Sequence, residues 1–296
     1  MSFENIEDKD FIMSPKVDFA FKMLFGDEKN KDILIAFLSS ALKLPRDNFK
    51  ELKLVNTELL REFKEDKKGI LDVRVKNNKG EEIDIEIQVL PTKFMPQRTL
   101  FYWAKMYNGQ IKAGDTYDKL QKCITINILD FECIPINKLH TTFHISEDET
   151  GDRLTDVLEI HFLEIDKLKR IDELKDAKDE TLKWLRFLDA KSKEEMQMIA
   201  KQDRDIEKAY EMLEIMSKSK EKRMAYEARQ TEIMDQRTRE KIAKEQGIQQ
   251  GLEQGIKRGE EKKAKEIAKA LLGLLDDESI SEKTGLTIEE IKSLYS

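Results

Sequence analysis

Residues 70–89 alternate apolar and polar side chains on both sides of a break that contains Asn77, Asn78 and Gly80. A period of two is that of a half-buried strand. Asn and Gly tolerate the left-handed backbone of a tight turn. The stretch therefore predicts a β-hairpin. Val73 and Val75 must share a face with Ile83, Ile85 and Ile87, because a slip of one residue sends every side chain to the wrong face. A three-residue loop, Asn78-Lys79-Gly80, gives that register when Gly80 is left-handed. Val75 then pairs with Ile83, Val73 with Ile85 and Leu71 with Ile87. On the polar face Lys76 lies opposite Glu82, Arg74 opposite Asp84, and Asp72 opposite Glu86.

The last pair sets two carboxylates against each other. Directly opposed like charges destabilise strand pairing, and they either raise a pKa or recruit a cation. A hard divalent ion such as Mg²⁺ takes oxygen ligands, often one or two carboxylates plus substrate phosphates. Gln88 follows on the same face, where it can orient a water or a phosphate. The plainer reading is the solvated side of an antiparallel sheet.

Asp72 followed by Glu86-Ile87-Gln88 resembles the PD-(D/E)XK nuclease signature, with Gln88 in the lysine position, as in some relatives. Three further stretches share the resemblance: residues 16–26, 98–107 and 126–131. Together they resemble the recombination-promoting nucleases, or PD-(D/E)XK nuclease family transposases, over roughly the first 190 residues. The resemblance implies an α/β fold: a restriction-endonuclease-like mixed sheet flanked by helices, with a long C-terminal helical extension. It implies a metal-dependent DNA endonuclease of recombination or mobile elements. Asp72, Glu86 and the Ile87 carbonyl would hold Mg²⁺ or another divalent cation, and Asp72, Glu86 and Gln88 would be the catalytic set. A carboxamide does not titrate, so Gln88 would orient the attacking water rather than take its proton. The alternative is a nuclease-like scaffold acting through protein contacts, favoured by Gln88 and by the acidic balance.

That balance is a net charge of −7 over 296 residues, of which 38% are charged and 39% hydrophobic. It suggests a compact core joined to something highly solvated, and it counts modestly against a generic nucleic-acid binder. The two cysteines, Cys123 and Cys133, have no metal-type spacing and read as buried free thiols. No apolar run approaches a membrane span, and the acidic start is unlike a signal peptide. The expectation is a cytoplasmic protein.

Residues 1–13 read as polar and frayed. Ser14-Pro15 predicts a helix start, with Gly26 at its end. Asp18 and Lys22 lie one turn apart on it: either a surface ion pair, or, by resemblance, support for the nuclease site. A second helix is expected over 29–42 and a strand over 49–61. A helix over 97–112 has Leu100, Trp103, Met106 and Tyr107 on its apolar face. It carries Arg98 and Tyr102 four residues apart, in the place where related nucleases have a Gln-x-x-x-Tyr pair. Arg98 suits phosphate oxygens by its fork geometry; the plain reading is an ordinary ion-pairing Arg. Residues 122–131 predict a central strand buried on both faces. His140 and His144 sit four apart, but Thr141, Thr142 and Phe143 favour a strand over a zinc-binding helix. Residues 158–163 predict a further strand with His161 on its polar face, and 179–188 a helix.

The pattern changes at Lys191. Met196, Ile199, Ile206, Tyr210 and Leu213 form a heptad stripe, with Asp203 breaking one position. Gly247, Gly251, Gly255 and Gly259 then recur every fourth residue, as a close-approach stripe or a mobile joint. The expected division is a nuclease-like domain over 1–190, a long charged helix over 191–260, and a small helical module over 261–296. The stripe predicts a homo-oligomer through the C-terminal helix. In the last module Thr287 and Glu290 form a capping box after a turn at Gly285. Residues 264–296 carry four Lys against seven Asp and Glu, which favours a protein-contact module over a DNA reader.

Overall fold

Among the described residues six strands make one mixed sheet in the order β1-β2-β3-β4-β6-β5. They are β1 (Lys53–Leu54), β2 (Val73–Lys76), β3 (Glu82–Gln88), β4 (Cys123–Leu129), β5 (His140–Phe143) and β6 (Leu158–Glu164). The computed structural model describes residues 11–58, 72–173 and 180–295, without the side chains of 171–173. Leu71, and with it the expected Leu71–Ile87 pairing, the 59–61 end of the strand before the hairpin, and Asp179 lie outside the described residues.

The hairpin takes the register its alternation dictates: Val73 pairs with Ile85, Arg74 with Asp84, Val75 with Ile83 and Lys76 with Glu82. Gly80 has a φ of 83°, and the Asn77 N–H donates to the Glu81 carbonyl across the loop. β3 then runs parallel to β4, and β4 parallel to β6, while β5 closes the edge antiparallel. The strand expected over 49–61 shrinks to β1. Among the described residues it pairs with β2 through Lys53 and Leu54, and the Val55 N–H donates to the Arg74 carbonyl beyond them.

Each face of the sheet meets a different layer. Val73, Val75, Ile83, Ile85, Ile87, Ile124, Ile126 and Ile128 point into the main core. There they meet α1 (Asp18–Phe25), α2 (Lys31–Leu42), α4 (Glu180–Asp189), α5 (Lys193–Ala200) and α6 (Arg204–Ser217). Phe25, Phe37 and Trp184 interlock at ring distances of 5.3–5.9 Å. The opposite face lies under α3 (Met95–Asn108), which buries Met95, Thr99, Tyr102 and Met106. This face of α3 is rotated from the expected one. Leu100 is exposed, because the positions that reach the sheet are 95, 99, 102 and 106, one helical stripe.

Several expectations change at the helices. α1 begins at Asp18 rather than Ser14, after a turn in which the Val17 N–H donates to the Ser14 carbonyl. Residues 11–13 are not frayed: Met13 is buried, and its N–H donates to Ser217 Oγ at 2.9 Å. No single helix runs from Lys191. Asp203 ends that possibility by capping α6, its carboxylate accepting from the Asp205 and Ile206 N–H groups. The stripe expected to pair with another chain is buried at home instead. Met196, Ile206, Tyr210 and Leu213 belong to the main core.

The chain forms two compact units, Met1–Ile233 and Met234–Ser296. The long helix α7 (Lys220–Leu271) begins in the first, where Tyr226 and Ile233 join the main core. In the second unit α7 is followed by α8 (Asp277–Thr284) and α9 (Ile288–Lys292). Ala268, Ile280, Leu286 and Ile291 form its own small core. Gly285 is left-handed at the end of α8, and Thr287 with Glu290 forms the expected capping box. Among the described residues no helix is long and apolar enough to cross a membrane.

Candidate active site

The hairpin ladder stops at Val73, and Asp72 sits at the bend just before it. Its carboxylate reaches back to the next strand: Oδ2 accepts the Ile87 N–H at 3.0 Å. Its other oxygen, Oδ1, lies 3.0 Å from Lys22 Nζ on α1. Burial raises the Asp72 pKa above the usual carboxylate value, against the opposing pull of Lys22.

Glu86 follows on β3, nearly fully buried because the next strand and α3 cover its face. Its Oε2 accepts from Arg98 Nη2 at 3.2 Å. Burial pushes the Glu86 pKa up to about 7, with Arg98 pulling the other way and Asp72 adding to the rise. Asp84 is also buried. In register it faces Arg74, but the Arg74 guanidinium turns diagonally to Glu82 instead. Burial and the neighbouring Glu86 and Asp72 carboxylates hold the Asp84 pKa well above its ordinary value.

Buried polar atoms almost always find partners. Of the six side-chain atoms among the described residues that do not, four lie here: Asp84 Oδ1, Glu86 Oε1, Arg98 Nε and Thr125 Oγ1. Thr125 is the β4 partner of Asp84, so these atoms belong to one patch beneath α3. Its edge is satisfied, with Thr99 Oγ1 donating to Asn127 Oδ1 at 2.9 Å.

The expected site residues separate accordingly. Asp72, Glu86, Lys22 and Arg98 meet around the hairpin end. Tyr102 lies beside Arg98, whose guanidinium carbon is 5.3 Å from the ring centre. Asp18 and Lys22 do not pair with each other. Lys22 turns to Asp72, while both Asp18 oxygens accept from Arg229 Nε at 2.8 and 3.0 Å. Gln88 Nε2 donates to the Leu90 carbonyl at 3.3 Å. Asp84 was missed as a site residue because the register offered it Arg74. The signal was present in the run Glu82, Asp84, Glu86 and Gln88, four polar side chains on one face of a strand buried on both sides.

Asp72, Asp84 and Glu86 offer hard oxygen atoms, two of them unpartnered, which suits a divalent cation that prefers oxygen. Among the described residues no three carboxylate, imidazole or thiol groups already converge as a metal cage.

A mixed sheet with a carboxylate-bearing hairpin at its centre and helices on both faces is the PD-(D/E)XK restriction-endonuclease-like fold. The sequence model of the PD-(D/E)XK nuclease family transposases matches residues 15–243, and the chain belongs to that family. Its general function is that of a nuclease domain, and nucleases of this class generally use divalent metal ions. No curated protein and no solved structure matches the chain.

Proposed function

We propose that this chain is a metal-dependent DNA endonuclease that hydrolyses phosphodiester bonds in the cytoplasm, in recombination or mobile-element biology. The observation that carries the reading is the patch of unpartnered buried polar atoms around Asp84 and Glu86. A fold leaves buried acceptors unpaired at a cost of about 1–3 kcal/mol each, and active sites are where such costs are retained. Asp72, Glu86 and the Ile87 carbonyl would hold Mg²⁺ or a similar ion, with Asp84 supporting them. When bound, the ion would supply Lewis acidity to the attacked phosphate. Arg98 would exchange its Glu86 contact for a phosphate oxygen, and Tyr102 would hold the guanidinium plane. Gln88 would orient water. Lys22 would bring to Asp72 the ammonium that Gln88 does not supply. Asp18 would act indirectly, by fixing α1 through Arg229.

The same chain would self-associate through α7. Ile248, Leu252 and Ile256 are 62%, 63% and 53% exposed, next to glycines at which an added Cβ would point into open space. A symmetric pair would bring two sites to one DNA.

The test is incubation of the purified chain with supercoiled plasmid and Mg²⁺ or Mn²⁺, beside Asp72→Ala. Metal-dependent nicking by wild type alone supports the reading. A second reading, a scaffold acting through protein contacts, is favoured by the Gln88 side chain turning to Leu90. Wild-type cleavage no higher than that of Asp72→Ala with any divalent ion would establish it.

A further inference from the structure

The sequence holds three histidines, His140, His144 and His161, and all of them line one cavity of about 460 Å³. The cavity lies on the sheet face opposite the carboxylates, because His161 is in register with Ile126, and Ile126 with Ile85. Thr142 on β5 faces His161 on β6. His140 and His161 are therefore diagonal neighbours on adjacent strands, and Glu159 is two residues from His161 on the same face. Such positions lie within reach of one another across a sheet.

The contacts fix the chemistry of the rings. Glu159 Oε1 lies 2.7 Å from His161 Nε2. An ionised carboxylate only accepts, so Nε2 carries a hydrogen, and in the neutral ring Nδ1 presents its lone pair. That lone pair faces His140 Nε2 at 2.7 Å, with Thr142 Oγ1 at 3.3 Å. A carboxylate behind one imidazole nitrogen, with the other nitrogen turned to a ligand, is the usual outer support of a metal-binding histidine. The cavity wall also includes Ala41 and Leu42, at the carbonyl end of α2. That end favours positive charge. Lys43 and Arg153 also stand on this cavity, and Glu159 is its one lining carboxylate, with Lys122 and His144 both at its Oε2.

We propose that His140 Nε2 and His161 Nδ1 are the nitrogen ligands of a separate site for a transition-metal cation of the zinc class, with Glu159 orienting His161 and water completing the shell. Among the described residues no three donors converge already. The two ring nitrogens close on each other instead. Two zinc–nitrogen bonds of about 2.0–2.1 Å at a tetrahedral angle span roughly 3.3 Å, so a small opening of the pair admits the ion. Imidazole selects zinc, nickel or copper, whereas the oxygen groups of the other face select magnesium or manganese.

The test uses the full chain, free of any histidine tag and stripped of metal with a chelator. Titration calorimetry with Zn²⁺ should show one site in wild type and in Asp72→Asn, unaffected by excess Mg²⁺. His140→Gln and His161→Gln should remove it, and Glu159→Gln should weaken it about tenfold or more. Ring-nitrogen NMR of the wild type gives a readout independent of whether the variants fold. Two histidine rings should shift on adding Zn²⁺. No ring shift, or histidine variants that fold and bind Zn²⁺ as tightly as wild type, would overturn the site.

Discussion

Asp72, Glu86 and Lys22 are where single substitutions speak most directly. Asp72→Ala and Glu86→Ala should each reduce metal-dependent plasmid nicking to the level of a metal-free control. Each also frees a cation, Lys22 or Arg98, from its partner. Asp72→Asn and Glu86→Gln are therefore the cleaner comparison, since they keep the shape and the acceptor. Lys22 separates the lysine role from the lysine position. Lys22→Met should slow nicking about 10²-fold, the usual loss when one positioned donor to developing charge is removed. Circular dichroism should show the fold retained, because Lys22 is partly exposed. A Lys22→Met variant that nicks as fast as wild type would remove the ammonium from the mechanism and leave Gln88 as the only polar group in that role.

Among the elements, α5 and α6 are the ones the sequence misassigned, and their burial gives a direct prediction. Met196, Ile206, Leu213 and Met216 share the core of Phe37 and Trp184. Truncating large buried apolar side chains costs about 2–5 kcal/mol each, while a whole domain is stable by about 5–15 kcal/mol. A chain ending at Ala190 should therefore fail to fold, and one ending at Ile233 should melt cooperatively in a thermal circular-dichroism scan. A second prediction concerns the tie between α1, β4 and α4. Lys16 Nζ lies 2.8 Å from both Asp130 and Asp189. Burial alone would raise the Asp189 pKa, but hydrogen bonds from Lys16 and Lys191 outweigh it and hold it below the ordinary value. Burial likewise pulls Lys16 down, and its two aspartates more than reverse that. The aspartate's contribution is thus complete above the unfolded carboxylate value and is lost as pH falls through its lower folded value. The lysine's contribution is complete below the unfolded lysine value and is lost as pH rises through its higher folded value. Lys16→Met should cost about 1–3 kcal/mol at neutral pH, measured by urea unfolding. The gap to wild type should narrow in strong acid, and a gap independent of pH would contradict the assignment.

At the scale of the whole molecule the open question is assembly. The heptad stripe that suggested pairing is consumed by the first unit's own core. The exposed large apolar side chains on α7 include Met224, Met234, Ile242, Ile248, Leu252, Ile256 and Ile267, and Ile248, Leu252 and Ile256 are the ones among the glycines. These three stand in a run where Gly247, Gly251, Gly255 and Gly259 would let a second backbone come close. Light scattering should find the full chain dimeric or larger at tens of micromolar, and a chain ending at Ile233 monomeric. Leu252→Lys with Ile256→Lys should dissociate the full chain while sparing its helical signal. A monomeric full chain would leave α7 as a solvated arm, and paired sites on one DNA would then have to come from elsewhere.

The sequence by itself determined the hairpin and its register over Val73–Lys76, while the expected pairing of Asp72 with Glu86 lies one step beyond the observed ladder. Strand alternation is local, and a one-residue slip would expose a whole apolar face. It likewise determined β4 as a buried strand, β5 as a strand rather than a helix, and the capped end of α8 with the start of α9. These features follow from side chains within a few residues of each other. Tertiary structure alone decided which cation each carboxylate meets. Asp18 turns to Arg229 and Lys22 to Asp72, partners that no spacing along the chain relates. It decided that the polar face of β3 is buried beneath α3, and so placed Asp84 in the same buried polar patch as Glu86. It also brought His140 to His161 and folded the Met196–Leu213 stripe inward. An apolar stripe on a helix states only that it must be covered; what covers it is settled by the packing of the rest of the chain.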